Sequence, residues 1–221
     1  QSRSSAASDV YKRQLSSISL AFISSSFIML LSLLMIIVGA YKSNNFQKIL
    51  IFFASSGYAF PGTILAVGIV VFVGWLNDLI YFRMSYAVGG FIILLFAYSI
   101  RFLAVGNGAI TSGISRIHPN LLDASRTMGV SFFKSIRKII LPLLYTNLLV
   151  GGILVFVDIL KELPITLLLR PFNFETLATY VYQYASDEML EESAFAALII
   201  VIAGLGPVIF LNRTITKSIK N

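Results

Sequence analysis

Cysteine is absent from this 221-residue chain, histidine and tryptophan occur once each, and only 12% of the residues carry charge. Without cysteine there is no disulfide, no thiolate metal site and no iron–sulfur cluster, and the redox compartment stays unspecified. So little charge excludes an ordinary soluble domain, in which Asp, Glu, Lys and Arg make up about a quarter of the residues. No GxxxxGK[ST] stretch occurs, so the chain lacks a phosphate-cradling loop with which to use ATP itself. No paired nucleophile and base, and no cluster of metal-ligating side chains, stands out, which argues against a membrane enzyme. What is abundant is apolar. Hydrophobic residues make up 57% of the chain and the mean hydropathy is +0.85, the composition of an integral membrane protein.

Residues 1–14, QSRSSAASDVYKRQ, are polar and show no hydrophobic period. They begin with Gln rather than Met, lack the apolar segment of a signal peptide, and resemble the run that sequencing-adaptor read-through leaves on environmental gene fragments. A flexible or non-native leader is expected there, with a longer native N-terminus. Crossing hydrocarbon takes about 20 apolar residues, and five stretches come close: roughly 16–41, 56–76, 85–104, 143–160 and 194–211. Each is expected to be helical because lipid offers no partner to exposed backbone groups. The expected fold is all-α, a polytopic bundle over residues 15–212 followed by a basic tail at 213–221. Pro61, Gly151-Gly152, Gly204, Gly206 and Pro207 predict kinks and close helix contacts.

The formal charge of +7 invites a nucleic-acid reading, but in a membrane protein Lys and Arg report topology first. Alternate loops hold eleven basic residues against three: Lys42 and Lys48, six from Arg101 to Lys138, and Arg213, Lys217 and Lys220, against Arg83, Lys161 and Arg170. The bias places the loop 105–142 and the C-terminus in the cytoplasm and the acidic loop 161–193 outside. Lys12 and Arg13 then fall on the outer face, a conflict that a further in-to-out helix upstream resolves. Arg101 is read as a snorkelling anchor at the cytoplasmic end of the third span.

The longest stretch of mixed charge is DASRTMGVSFFKSIRKIILP, Asp123 to Pro142. Ahead of it, His118-Pro119-Asn120 opens a short helix with Leu121, Ala124 and Met128 on one face, and Gly129 ends that helix. Ser131 is expected to cap a second helix in which Phe132, Phe133, Ile136, Ile139 and Ile140 recur at helical steps while Lys134, Arg137 and Lys138 turn elsewhere. Pro142 then starts the next span. Two amphipathic helices this short cannot cross a bilayer, so their apolar faces need either an anionic membrane surface or a protein partner.

Asp123-Ala124-Ser125, Gly129, Ile139, Leu141 and Pro142, at this spacing, resemble the EAA loop of ABC-importer permeases, with Asp for Glu at 123 and Ser for Ala at 125. The resemblance implies a type-I importer transmembrane domain whose two coupling helices sit on a cytoplasmic ATPase. ATP and magnesium then belong to that partner, and no cofactor is expected in this chain. In those roles Asp123 and the first helix fix orientation, Gly129 permits the turn, and Phe132, Phe133 and Ile136 make the buried contact. The runs Tyr58–Gly68, Phe96–Ile110 and Lys161–Glu188 resemble the second half of ferric-iron ABC permeases, so the likeness covers nearly everything after residue 15. It implies ferric iron as cargo, a periplasmic or surface binding protein as donor, a second permease half in the same chain or another copy, and a bacterial inner membrane. Permeases for thiamine or phosphonates are neighbouring alternatives.

Asp158, Lys161 and Glu162 stand at i, i+3 and i+4 near the outer end of the fourth span. Either Asp158 and Lys161 form a local ion pair, or a carboxylate faces the translocation path. Asp158, Glu162, Arg170 and Glu175 are the candidates for that path or an outer gate. A hard cation prefers oxygen ligands, which Glu162, Glu175, Asp187, Glu188, Tyr180, Tyr182 and Tyr184 supply. Tyrosines at a membrane border are usually belt residues, however, and the spacing of Leu177, Val181 and Tyr184 predicts an amphipathic helix packed on the bundle, so no metal site is expected. His118 is read as a loop residue. An ion-coupled secondary transporter or channel is the competing class. Such proteins keep coupling groups near mid-membrane, whereas Asp158 lies about 22 Å along its helix from Leu143.

Overall fold

A chain this apolar can satisfy its backbone only internally, and helices account for all the regular structure among the described residues. The computed structural model describes residues 2–41, 45–80, 86–118 and 120–220. The elements are α1 (Ser2–Tyr41), α2 (Asn45–Ser56) with a 3-10 turn at Gly57–Ala59, α3 (Gly62–Ile80), α4 (Tyr86–Ile114), α5 (Asn120–Thr127), α6 (Phe132–Ser135), a π turn (Ile136–Ile140), α7 (Leu141–Leu160), α8 (Pro164–Leu169), α9 (Leu177–Ser186) and α10 (Leu190–Lys220). Four straight stretches are long and apolar enough to cross a membrane: Tyr11–Gly39, Gly90–Ile114, Phe132–Leu160 and Leu190–Ile209.

The expected second span is instead a bent pair, Lys48–Ala59 and Gly62–Asn77, at 116°. The bend has a local cause. Phe60 precedes Pro61, whose ring disfavours helical geometry in the residue before it, and Phe60 is extended at φ −81°, ψ 138°. The third span runs ten residues beyond its expected end at 104, to Ile114, which shortens the loop expected over 105–142. Gly106 and Asn107 dilute the apolar run, but the bundle answers their polarity: Asn107 Nδ2 donates to Ser55 Oγ at 3.1 Å, and Asn147 Nδ2 donates to the Ala109 carbonyl at 3.2 Å.

Over the stretch expected as a leader, 1–14, α1 is helical from Ser2. Its Arg13 pairs with Glu175 and lies over the Tyr180 ring, so the start of α1 shares an end of the bundle with residues 161–193.

Helices α1, α4 and α7 pack on one another around Ile28, Met29, Leu94, Tyr98, Phe102, Ile110, Leu144 and Val155. Between apolar helices in lipid, close van der Waals fit matters more than expulsion of water. At Gly151 an added Cβ would sit 2.7 Å from Ala109 Cβ, a contact only glycine permits. By contrast α3 and α10 present Ile64, Val67, Val71, Trp75, Leu198, Ile202 and Leu205 outward, as lipid contact requires. The predicted amphipathic helix is present as α9, which buries Leu177 and Tyr180 against Ala196 of α10. Thr176 and Thr179 cap it by exchanging side-chain and backbone hydrogen bonds.

Candidate functional site

At the end of the bundle where α4 finishes and α7 begins, the chain makes an elbow. Helix α5 stops at a glycine turn: the Val130 N–H reaches back to the Ser125 carbonyl at 3.0 Å, the long bond of a helix stop whose next residue is left-handed. That residue is Gly129, at φ +72°, with nothing within 4 Å of where a Cβ would stand. Conformation, not space, requires glycine here. Ser131 occupies the predicted cap position in extended geometry, but its side chain makes no capping bond. Ser135 supplies the polar contact instead. Its backbone N–H donates to the Ser131 carbonyl, and its hydroxyl meets that of Ser125 at 2.9 Å, with both serines buried.

The second short helix of the elbow does not end before the span. The Leu141 N–H bonds the Ile136 carbonyl five residues back, so α6 winds through a π turn directly into α7. Pro142 sits in the first turn of α7. Having no N–H, and a ring that collides with the carbonyl four residues earlier, it forbids ordinary α registry at this point. The elbow's second arm and the membrane span are therefore one lever from Phe132 to Leu160.

The apolar positions of the elbow divide. Phe132 and Ile136 pack against the bundle core, Ile139 and Leu141 are half-buried and Ile140 is buried. Phe133 is 80% exposed and Met128 is 72% exposed, with Leu121 and Ala124 also on the surface. Lys134, Arg137 and Lys138 are exposed around them, as is Pro142. Asp123 is a residue of α5, but its side chain lies outside the described part, as do those of the basic tail at 213–221. Ser135 was missed in the sequence because it stands among basic residues in KSIRK, and only the turn at Gly129 folds it back onto Ser125.

At the opposite end, the four charged candidates separate into three pairings. Asp158 binds Lys161 at 2.8 Å, the local pair expected from their spacing. Arg170 donates to the Phe174 carbonyl at 3.1 Å and lies 3.7 Å from Glu175, which also holds Arg13. Glu162 is buried, 3.4 Å from Arg101. This last contact corrects the reading of Arg101 as a cytoplasmic-end anchor. Because α4 runs on to Ile114, Arg101 lies near its middle, about 16 Å along the axis from Gly90, which packs on Pro171 at the helix start. Glu162, expected in an outer loop, is at the level of mid-α4. Arg101 also donates to the Phe60 carbonyl at 2.6 Å, an acceptor that the bend at Pro61 leaves free. Nearby, Thr166 donates its hydroxyl to the Glu162 carbonyl at 2.6 Å and is hydrogen-bonded to the buried Tyr98. Thr166 has one proton, so Tyr98 must be the donor to it.

Burial and the neighbouring Tyr184 raise the pKa of the Tyr180 phenol, and its ring packs against Ala196 of α10.

Residues 10–221 match the family described as the binding-protein-dependent transport system inner membrane component. The chain is 25% identical over 157 residues to the Fe(3+)-transport system permease protein FbpB 2 of Haemophilus influenzae, covering 71% of this chain and 29% of that protein. It is 24% identical over 163 residues to the spermidine/putrescine transport system permease protein PotC homolog of Mycoplasma genitalium, covering 74% of this chain and 55% of that one. The chain thus spans about a third to a half of the length of these relatives. Its fold is similar to the MetNI methionine ABC transporter in inward-facing conformations (TM-score 0.63, 14% identity, 92% of this chain and 95% of that one). It is equally similar to an amino acid ABC transporter (TM-score 0.65, 18% identity, 93% and 92%). With nearly its whole length matched and its helices arranged as in ABC-importer transmembrane domains, this chain belongs to the inner membrane components of binding-protein-dependent transport systems.

Proposed function

We propose that the chain is the permease half of an ATP-driven importer that takes ferric iron from a binding protein outside and passes it inward. The observation that carries this reading is the elbow. Phe133 and Met128, both apolar, are exposed on a glycine-hinged pair of helices joined without a break to a membrane span. Such a surface has a use when a separate ATPase grips it, because displacement of the elbow then tilts the span as a lever. On this reading the elbow, with Asp123, Ala124, Ser125 and Gly129 setting its shape, faces the cytoplasm, ATP and magnesium stay on the ATPase, and a second permease half completes the path. Asp158, Arg170 and Glu175 belong to the outer part of that path, and Glu162 to its middle.

Iron is favoured by the likeness of Tyr58–Gly68, Phe96–Ile110 and Lys161–Glu188 to ferric permeases, beside a relative named for Fe(3+) transport at 25% identity. Polyamines are the second reading, supported by the relative named for spermidine and putrescine. Both named cargoes are cations. The test is reconstitution of the chain in proteoliposomes with the ATPase and binding protein of its transport system. Uptake of radiolabelled iron(III) that requires ATP is expected. Uptake in the absence of the ATPase overturns the importer mechanism, and ATP-dependent uptake of spermidine without iron overturns the cargo alone.

A further inference from the structure

Arg101 is an ionised group in the middle of a membrane-crossing helix. A charge at that depth is costly and needs a reason. Three pieces of the fold meet at it. The first is the bend of the broken span, whose Phe60 carbonyl accepts from Arg101 Nη1 at 2.6 Å. The second is α4, which carries the arginine. The third is the corner between α7 and α8, where Glu162 lies 3.4 Å from Arg101 Nε. The corner fits the bend closely: a Cβ at Gly62 would stand 2.8 Å from Glu162 Oε1 and 3.4 Å from Pro164 Cβ.

The contact between the charges is loose. Arg101 Nε, although buried, makes no aligned hydrogen bond, so charge attraction rather than a directed fork holds Glu162. A pair kept for stability alone is poorly served this way, since an apolar replacement of similar volume often does as well. The surroundings are breaks in regular structure: a helix bent at 116° on one side and a six-residue helix, α8, on the other. The lever from Phe132 to Leu160 ends at this same corner, so motion at the elbow is delivered to Glu162.

We propose that Arg101 and Glu162 form a releasable clasp that shuts the broken span against the α7–α8 corner, with Arg101 as the positioning residue that sets when the path opens. This rests on the importer reading for the meaning of the opening but not for the clasp itself.

The absence of cysteine gives a direct assay. Thr166→Cys places a single thiol beneath the clasp, at a site only 1% exposed, in the chain assembled with its ATPase and binding protein. Its rate of reaction with a water-soluble maleimide reports opening. Glu162→Gln, which keeps the side-chain shape beside Gly62, is expected to raise that rate about tenfold, as a two-state equilibrium responds to loss of one charge contact. Arg101→Gln should do the same, and the exchanged pair Arg101→Glu with Glu162→Arg should restore the slow rate. A structural role alone would instead lower the unfolding temperature in all three, with no rescue by the exchange. An unchanged rate in folded Glu162→Gln protein overturns the clasp. Should Glu162→Gln not fold, the exchanged pair decides: fast labelling of a folded exchanged protein overturns the proposal. If ATP-dependent uptake is absent in the parent while the labelling pattern holds, the importer reading fails and the clasp stands. If uptake is present but labelling does not respond, only the clasp fails.

Discussion

The hydroxyls of Ser125 and Ser135 meet at 2.9 Å across the Gly129 turn, both shielded from solvent, and so tie the first arm of the elbow to the lever that enters the membrane. If the elbow moves as proposed, this contact is one link by which α5 would carry α7 with it. Ser135→Ala removes a neutral hydrogen bond worth about 1 kcal/mol and should lower stability by about that amount. Ser125→Leu overfills the contact, at a cost of about 1–3 kcal/mol, and pushes the arms apart. The expected result is that Ser125→Leu loses ATPase copurification while Ser135→Ala keeps it. Equal retention by both would mean that the contact transmits nothing.

Gly129 is open on every side where a Cβ would go, yet its φ of +72° is unfavourable for other residues. Gly129→Ala should therefore cost about 1–2 kcal/mol through the backbone alone, without a clash. Asn tolerates left-handed geometry better than Ala, so Gly129→Asn should copurify with the ATPase more fully than Gly129→Ala despite its larger side chain. The reverse order would show that space, not conformation, matters at the turn.

Two adjacent phenylalanines should behave oppositely. Phe132 packs on the bundle core, whereas Phe133 is 80% exposed. Phe132→Ala is expected to lower the thermal stability of the detergent-solubilised permease by on the order of 2 kcal/mol, below the figure for a fully buried ring. Phe133→Ala should leave that stability within about 0.5 kcal/mol, as for surface positions generally, and abolish association with the ATPase. Binding that survives Phe133→Ala would move the docking surface elsewhere.

Much of this was legible in the sequence because it depends on local rules. Apolar runs had to become helices, Pro61 had to mark a bend, and Gly129 had to end a helix. The errors share a different cause. Arg101 was read as the edge of its span because Gly106 and Asn107 dilute the apolar run after it, and the groups they pack on or bond to, Ser32 on α1 for Gly106 and Ser55 on α2 for Asn107, are far away in sequence. Glu162 does lie in a connection, between α7 and α8, but its depth was missed for the same reason: nothing near it in sequence announces a cation across the bundle. Which of Phe132, Phe133 and Ile136 faces outward was not readable either, since that depends on the rotation set by the π turn.

The π turn itself makes a prediction of non-additivity. It holds one residue more than an α-helix would use over the same rise, and Pro142, with no N–H to bond four residues back, fits this geometry better than a regular helix. Deleting the exposed Lys138 should return the segment to α registry with both flanks in their present rotation, since each residue of an α-helix turns the chain by about 100°. Pro142 would then lie inside a regular helix, at a cost of about 3 kcal/mol. Pro142→Ala alone should change little, because Phe132, Ile136 and Ile140 hold the rotation by packing. Combined with the Lys138 deletion it should recover most of the lost stability. Thermal unfolding of the four proteins in detergent measures the coupling. A double variant as unstable as the deletion alone would show that the π turn is held by something other than the proline.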